Sequence, residues 1–393
     1  VNTCTVTAEA GRKARQKIRR LVREDPQVRV AVTGCLAENE PEILRELPGV
    51  EWVLGNGDAK RPVHFLRQLG FDADPEELGI PAGITAFSGH TRAFVKIQDG
   101  CDKACAFCII PSTRGRSRSR PVGELAEEVR GLVEAGHVEV VLCGIHIGHY
   151  GLDAGTTLAE LMRVLADLDP RDAGGTSIDY RLRLSSIEAT EVDDELLAVM
   201  AAHPQRIAPH LHMPMQSGDD RVLARMNRWY TVAEYLAACD RIRAGLDRPA
   251  FTADVLVGFP GEGDAEFENT LRTVESAGFA RIHAFPFSPR PGTAAYDLDG
   301  RPAPAAMRER RAALSEHAHR IGEAYKRSLA GARDRVVLEG TAGLSGRYQR
   351  VRVDLDDIAG ALPAALDVEL EVRALPESGQ SDEDVKCELV LDF

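Results

Sequence analysis

The stretch Gly100-Cys101-Asp102-Lys103-Ala104-Cys105-Ala106-Phe107-Cys108 decides how this chain is read. It is a C-x3-C-x2-C run, and it directly follows Arg92–Ile97, a run with the residue pattern of a strand. Thiolates are the usual ligands of iron–sulfur clusters. Three of them on one short loop can hold three irons of a [4Fe–4S] cluster and leave the fourth iron open to a small molecule. A zinc site usually closes its shell with four nitrogen or sulfur ligands, and no fourth candidate lies nearby.

Working outward, strand-like and helical runs alternate from Thr91 to about Arg290. Strands are expected at Arg92–Ile97, Val138–Cys143, Arg181–Ser185, Ile207–His212, Phe251–Val257 and Arg281–Phe285. Between them, Leu125, Val129, Leu132 and Val133 recur at helical spacing, as do Leu158, Leu161, Met162 and Leu165, and Phe267, Leu271 and Val274. Thr231 with Glu234 has the signature of a capping box. Six such units predict an α/β fold built on a partial (β/α)6 barrel of parallel strands, with its chemistry at the C-terminal strand ends.

Residues 1–75 read as a small N-terminal α/β domain, with helices Ala8–Glu24, Glu40–Leu47 and Asp58–Leu69 and strands Val28–Val32 and Val50–Leu54. The Pro-, Gly- and Asp-rich stretch that follows predicts a linker at 76–90. The barrel domain is expected over 91–330, including a helical arm, Ala303–Leu329. Residues 331–393 carry β-rich runs at Arg335–Glu339, Tyr348–Leu355, Val368–Arg373 and Cys387–Leu391, which predict a small antiparallel β-barrel. The chain opens on Val1 rather than Met, and Val1–Cys4 reads as the end of a strand, so the first domain is expected to be truncated at its start.

No apolar run among the 393 residues has the length of a membrane span, and no signal-peptide pattern opens the chain. The expectation is a cytoplasmic protein with no membrane partner. Eight cysteines are too few for a disulfide scaffold of this size, and clustered thiols in a reducing compartment more often bind metal. The net charge of −13 excludes broad, non-specific nucleic-acid binding but leaves room for local basic surfaces. Three arginine-rich stretches offer them: Arg12 to Arg20, then Arg114, Arg116, Arg118 and Arg120, then Arg347, Arg350 and Arg352. Each taken alone reads as a solvated face.

The cysteine triplet, with Phe107 and its place after the first barrel strand, resembles the radical-SAM superfamily. Cys4 and Cys35 each follow a β-like run, in Asn2-Thr3-Cys4 and Thr33-Gly34-Cys35; alone, two such cysteines are ordinary small core residues. Together with Cys143–Gly148, Leu184–Glu188, His210–Gly218, Val257–Glu262 and Phe285–Thr293, they make the chain similar to the methylthiotransferase family of radical-SAM enzymes. Gly346-Arg347-Tyr348 before a basic strand is similar to that family's TRAM domain, a small RNA-binding barrel.

The resemblance implies two [4Fe–4S] clusters and S-adenosylmethionine. Cys101, Cys105 and Cys108 would hold the cluster whose open iron binds S-adenosylmethionine and cleaves it to a 5′-deoxyadenosyl radical. Cys4 and Cys35 would supply two of three ligands to an auxiliary cluster, the third being expected upstream of Val1. By position, Phe107, Gly144, Ser186, Glu188 and Gln216 are the candidates for holding S-adenosylmethionine. The implied reaction is methylthiolation at C2 of an adenosine in the tRNA anticodon stem-loop. The C2–H bond gives a base or nucleophile no foothold, so the carbon radical has to come from the cofactor.

Arg114, Arg116, Arg118 and Arg120 would meet phosphates beside the site, while Arg347, Tyr348, Arg350 and Arg352 would anchor the tRNA body. The electron donor would be a flavodoxin or ferredoxin, and the chain a monomer. Val1–Thr7 and Gly144–Gly148 are most similar to the branch that acts on N6-threonylcarbamoyladenosine. The isopentenyladenosine branch and the branch that modifies an aspartate of a ribosomal protein are the alternatives. A non-catalytic tRNA-binding relative is the alternative of another class, should the third auxiliary ligand be absent. Cys143, Cys239 and Cys387 read as packing residues, His210 and His212 as structural, and His317 and His319 as facing water.

Overall fold

The computed structural model describes residues 1–57, 62–71, 84–87, 89–339, 342–353, 364–370 and 385–387. The N-terminal domain runs β1 (Asn2–Thr3), α1 (Ala8–Glu24), β2 (Val30–Gly34), α2 (Cys35–Asn39), α3 (Pro41–Arg45), β3 (Val50–Leu54) and α4 (Pro62–Gln68). Its three strands are parallel in the order β1-β2-β3. Thr7 caps α1 by accepting from the Ala10 N–H at 3.1 Å, and the helix lays Ile18 against Val30, Val32, Leu36 and Leu44. The single helix expected over Glu40–Leu47 is instead preceded by α2, which begins directly where β2 ends. Gly34, at φ +107°, makes this possible: a Cβ there would lie 2.2 Å from the Thr3 carbonyl oxygen. Only glycine lets β1 lie flush against that strand-to-helix turn.

The barrel contains β4 (Arg92–Lys96), a short antiparallel pair β5 (Gln98–Asp99) and β6 (Arg118–Ser119) flanking α5 (Ile110–Arg114), then α6 (Val122–Glu134) and β7 (Glu139–Cys143). It continues with α7 (Leu158–Ala166), β8 (Arg181–Leu184), α8 (Asp194–Ala202), β9 (His210–His212), α9 (Asp220–Arg225), α10 (Val232–Gly245), β10 (Ala250–Val257), α11 (Asp264–Ala277) and β11 (Arg281–Pro286). Two parallel sheets, β4-β7-β8 and β9-β10-β11, meet through single bridges Leu182↔Ile207 and Ser186↔His212. The six long strands thus follow one another in sequence order. Among the described residues β4 and β11 do not pair, so the barrel is open. Alternate residues such as Ala93, Val95, Val140, Leu142, Leu182 and Leu184 are buried in one core with Leu125, Val129 and Leu132 of α6 and Leu161, Met162 and Leu165 of α7. Thr231 and Glu234 form the expected capping box.

The long helix α12 (Pro304–Ser328) packs on β11 and α11 and is pinned by Arg310, which pairs with Glu262 at 2.9 Å and Asp264 at 2.8 Å. Beyond it, β12 (Arg333–Glu339), β13 (Ala342–Ser345), β14 (Arg350–Val353), β15 (Ala365–Glu369) and β16 (Val385–Cys387) make one sheet, ordered β15-β12-β13-β14-β16. The expectation of an all-antiparallel barrel needs correction in two respects. The β14–β16 pair is parallel, and among the described residues the sheet does not close. Residues 354–355, 371–373 and 388–391 of the expected strands lie outside the described residues, as do residues 58–61 of the helix expected over Asp58–Leu69. No described helix is long and apolar enough to cross a membrane.

A buried charge network fastens this sheet beneath the barrel. Glu139 at the start of β7 is fully buried and receives Arg181 at 2.5 Å and Arg183 at 3.0 Å from β8. Burial alone would raise its carboxyl, but the two guanidinium groups hold it down at about 2. The same arginines donate to the carbonyls of Leu344 (3.1 Å), Ser345 (2.9 Å) and Gly346 (3.0 Å). The contacts gather toward the N-terminal ends of the barrel strands, so the C-terminal sheet sits at the end opposite the cysteine loop. Glu139→Ala leaves two buried guanidinium groups unpaired and is expected to cost about 3–5 kcal/mol in chemical denaturation. A loss below about 1 kcal/mol, the size of an exposed pair, would show that the network does not fasten the two parts.

Candidate active site at the open end of the barrel

The cysteine loop is shaped by backbone demands before any ligand is considered. Gly100 has φ +77°, and a Cβ there would stand 2.0 Å from the Arg116 carbonyl oxygen. The loop is tied down by Cys101 N–H donating to Gly115 (3.0 Å), Ala106 N–H to Met226 (2.9 Å) and Cys108 N–H to Cys105 (3.0 Å). All three thiols are free and partly buried. Burial pushes the Cys105 thiol up, with Arg228 opposing it through a 3.1 Å hydrogen bond to Sγ. Burial pushes Cys108 up to about 11, against the pull of the Ile110 N–H and with the other two cysteines adding to the rise. Thiols this close discourage one another from ionising, and a bound cation relieves that repulsion by displacing their protons. The donor set therefore fits a metal cluster.

Around the loop stands a shell of charged and aromatic groups. Arg228 pairs with Glu188 at 2.5 Å and donates to the Tyr230 hydroxyl at 3.2 Å. Trp229 is flanked by Arg228 at 4.2 Å and Lys103 at 4.1 Å from its ring centre. His146 lies between Cys101, whose Sγ is 3.3 Å from Nδ1, and Glu191, whose carboxylate is 2.7 Å from Nε2. Burial would lower His146, but hydrogen bonds to Cys101 and Glu191 outweigh it and carry the ring up to about 9. Burial likewise raises the Glu188 carboxyl, against the attraction of Arg228. The buried oxygens Ser185 Oγ, Glu188 Oε2 and Thr190 Oγ1 have no hydrogen-bond partner, and all three follow β8. Unsatisfied buried polar atoms at a strand end are what a polar ligand would complete.

Of the expected S-adenosylmethionine contacts, Phe107 makes an edge contact with Phe259 at 6.3 Å. A Cβ on Gly144 would stand 2.8 Å from Ile147 and 3.0 Å from the Gln98 carbonyl oxygen, so no side chain fits there. Ser186 bridges to His212, and Gln216, at φ +62°, bridges to Val255. Ser186, Glu188 and Gln216 are partly buried at the C-terminal ends of β8 and β9. The register Thr3↔Gly34 sets Cys4 and Cys35 one residue beyond adjacent positions on parallel strands, Cys4 exposed and Cys35 buried. Arg114, at the end of α5, donates to Cys35 Sγ at 3.2 Å and pairs with Asp99 at 3.2 Å. Arg290 pairs with Glu40 at 3.3 Å and bonds Thr5, while Asn56 donates to the Thr113 carbonyl at 3.0 Å. The N-terminal domain thereby meets the loops at the open end of the barrel.

Comparison with known proteins bears on this arrangement. The family described as the Radical SAM superfamily matches residues 95–274, and Uncharacterized protein family UPF0004 matches residues 1–55. A Thermotoga maritima protein named threonylcarbamoyladenosine tRNA methylthiotransferase MtaB is 36% identical over 86% of this chain and 77% of its own length. A Parafrankia protein named tRNA-2-methylthio-N(6)-dimethylallyladenosine synthase is 35% identical over 90% of this chain and 74% of its own length. The chain belongs to the radical-SAM tRNA methylthiotransferases. That family uses S-adenosylmethionine and [4Fe–4S] clusters, an auxiliary cluster among them. The solved structure of the radical S-adenosylmethionine methyltransferase TsrM from Kitasatospora setae superimposes with a TM-score of 0.56 at 15% identity, covering 75% of this chain and 64% of that one. This likeness supports the fold alone.

The arginines expected to meet RNA fall into different surroundings. Arg116 is 91% exposed beside Asp102, and Arg118 is exposed. Arg114 turns inward to Cys35 and Asp99, and Arg120 pairs with Glu128 at 2.7 Å. Arg347 is only 5% exposed, held by Asp247 at 2.9 Å and Asp334 at 3.4 Å. Tyr348 stacks on His210 with ring centres 4.3 Å apart. Arg347 is thus held in the seam between sheet and barrel, while Tyr348 is half-buried beside it. Arg350 is exposed; nothing is described of the Arg352 side chain. The two arginine sets lie at opposite ends of the barrel and do not form one surface. His210 and His212 bond Thr252 at 3.0 and 2.9 Å, and His317, expected to face water, is partly buried with partners in Ala313 and Glu275.

Sequence reasoning missed Arg228, Trp229, Gln98, Glu191 and the role of His146 among the methylthiotransferase motifs, because each meets the cysteine loop only through the fold. Arg228→Met removes the cation beside Cys105, so the Cys105 thiol should move further up. Alkylation of Cys105 in the iron-free protein at pH 8 is expected to slow several-fold; an unchanged rate would mean that Arg228 does not act on the thiol.

Proposed function

We propose that this enzyme methylthiolates C2 of N6-threonylcarbamoyladenosine at position 37 of tRNA, giving 2-methylthio-N6-threonylcarbamoyladenosine. The observation that carries this reading is the convergence of two thiol sets on one mouth. Cys101, Cys105 and Cys108 stand on the loop after β4, Cys4 and Cys35 stand at the ends of β1 and β2, and Arg114 bridges Cys35 to Asp99 beside the loop. We read the first set as ligands of the radical-generating cluster and the second as ligands of the auxiliary one. When bound, S-adenosylmethionine with the first cluster supplies a carbon radical, and the auxiliary cluster supplies sulfur.

The chain's own residues bind, orient and shield. Ser185, Glu188 and Thr190 offer unpartnered acceptors where the polar parts of S-adenosylmethionine would sit, with Phe107, Gly144, Ser186 and Gln216 forming the neighbouring wall. Arg228 pairs with Glu188 and gives Cys105 a positive neighbour. The N-terminal domain meets the loops at the mouth and would limit the access of solvent and of competing reactants to a radical formed there. Arg116 and Arg118 are the exposed cations beside it and suit phosphates. An anticodon loop presents unpaired bases, so a purine can enter without a duplex being opened. Arg350 on the far sheet would reach a more distant part of the tRNA. We place the protein in the cytoplasm as a monomer that receives electrons from a flavodoxin or ferredoxin. The dimethylallyladenosine reading has support from relatives of similar identity, and the test below separates the two.

Mass analysis of tRNA nucleosides from cells lacking the gene is expected to show loss of 2-methylthio-N6-threonylcarbamoyladenosine, with its unmodified precursor accumulating. Loss of the dimethylallyl product instead would move the enzyme to the other branch. Purified Cys105→Ala should form no 5′-deoxyadenosine under strong reductant, and retained formation would overturn the assignment of the loop.

A further inference from the structure

The group that touches Cys101 is held with more precision than a packing role needs. His146 is 7% exposed, and its backbone N–H is fixed by the Gln98 side-chain oxygen at 2.9 Å. Its ring is stacked on His149 at 4.0 Å and faces Trp229 at 5.7 Å. Nε2 reaches both oxygens of Glu191, at 2.7 and 2.9 Å, while Nδ1 points at Cys101 Sγ at 3.3 Å. His149 adds a second contact to Glu191 at 3.3 Å. The chain makes room for that carboxylate: a Cβ on Gly148 would lie 2.1 Å from Glu191 Oε2. One ring nitrogen thus stands at the Glu191 carboxylate and the other at the Cys101 sulfur, which is an acceptor when it ligates a cluster, so an N–H on Nδ1 would be aimed at it.

We infer that Glu191 and His146 form a positioning pair that directs an N–H at the Cys101 sulfur and thereby sets the reduction potential of the radical-generating cluster. The inference rests on the reading of Cys101 as a cluster ligand. A hydrogen bond to a ligand sulfur draws charge from the cluster and favours the reduced, more negative state, so it raises the potential. An easier reduction matters here because one electron has to reach the cluster before S-adenosylmethionine can be cleaved. In this role His146 is a positioning residue that acts through Cys101. Neither His146 nor Glu191 is among the ligands proposed above.

The test is an EPR-monitored redox titration of the anaerobically reconstituted full chain, in a Cys4→Ala/Cys35→Ala background so that only one cluster reports. His146→Phe should lower the midpoint by at least the equivalent of a tenfold shift in the reduction equilibrium, about 59 mV for one electron. Glu191→Gln should shift it the same way by less, and His146→Gln, whose amide can still donate, should restore part of the loss. Unchanged midpoints in His146→Phe and Glu191→Gln, with four irons retained, overturn the inference. If His146→Phe fails to hold iron, Glu191→Gln alone decides by the same criterion. Failure of the background protein itself to show a [4Fe–4S] signal would instead count against Cys101, Cys105 and Cys108 as ligands.

Discussion

Gln98 is 1% exposed, and its amide is engaged on both sides. The nitrogen donates to the Gly100 carbonyl and the Ser117 hydroxyl, both at 2.8 Å, while the oxygen accepts from the N–H groups of Ile145 at 3.0 Å and His146 at 2.9 Å. One side chain therefore fixes the cysteine loop, the turn before β6 and the loop after β7 relative to one another. Gly144 must be bare for this, since a Cβ would stand 3.0 Å from the same amide oxygen. The cysteine loop has no regular secondary structure, and the loop after β7 has only a single 3-10 turn, Ile147–His149. Without the amide, the three thiols and the imidazole beside them lose the tie that joins their loops, and a buried amide left partly unpaired would itself be costly. The rest of the site inherits its geometry from this junction.

The two ends of the barrel are closed by different physics. At the base, Glu139, Arg181 and Arg183 are removed from water and satisfied by one another and by carbonyls of the C-terminal sheet. A buried network of this kind adds little net stability over an apolar core, yet it is severely penalised when one member is lost. It therefore specifies a single docking geometry. Arg347 and Tyr348 add contacts to the same seam, Arg347 with Asp247 and Tyr348 with His210.

Much of this was legible in the sequence. The six barrel strands and α1 follow from apolar periodicity, and the cysteine spacing stands out because few structures need it. The C-terminal sheet was harder to read. Ala342-Gly343-Leu344-Ser345 lacks the β-branched residues that mark a strand, yet it pairs with both β12 and β14. The arginines at 114, 116, 118 and 120 look like one strip by their even spacing. Only Arg118 lies in a strand; Arg114 closes a helix and Arg120 follows the strand, so the four point to different partners. The contacts of Arg228 with Cys105 and of His146 with Cys101 span 123 and 45 residues. Such meetings depend on strand order and register, which local pattern does not carry.

The open end is joined to the N-terminal domain almost wholly through polar contacts: Arg290 with Glu40 and Thr5, Asn56 with Thr113, the Ala8 N–H with Ser288, and Arg114 with Cys35. Groups of this kind exchange partners with water at small cost, unlike the apolar packing inside each domain. The division suits the proposed reaction, in which the sulfur source and the radical source would be carried by separate domains. An apolar interface would hold the mouth shut against a nucleobase, whereas one built from hydrogen bonds can bring the two thiol sets together and still admit a polar guest between them. Arg114 is the economical part of this arrangement, because one guanidinium serves an acid beside the first set and a sulfur of the second. Its planar fork offers donors in more than one direction, which the single ammonium of a lysine would not reproduce.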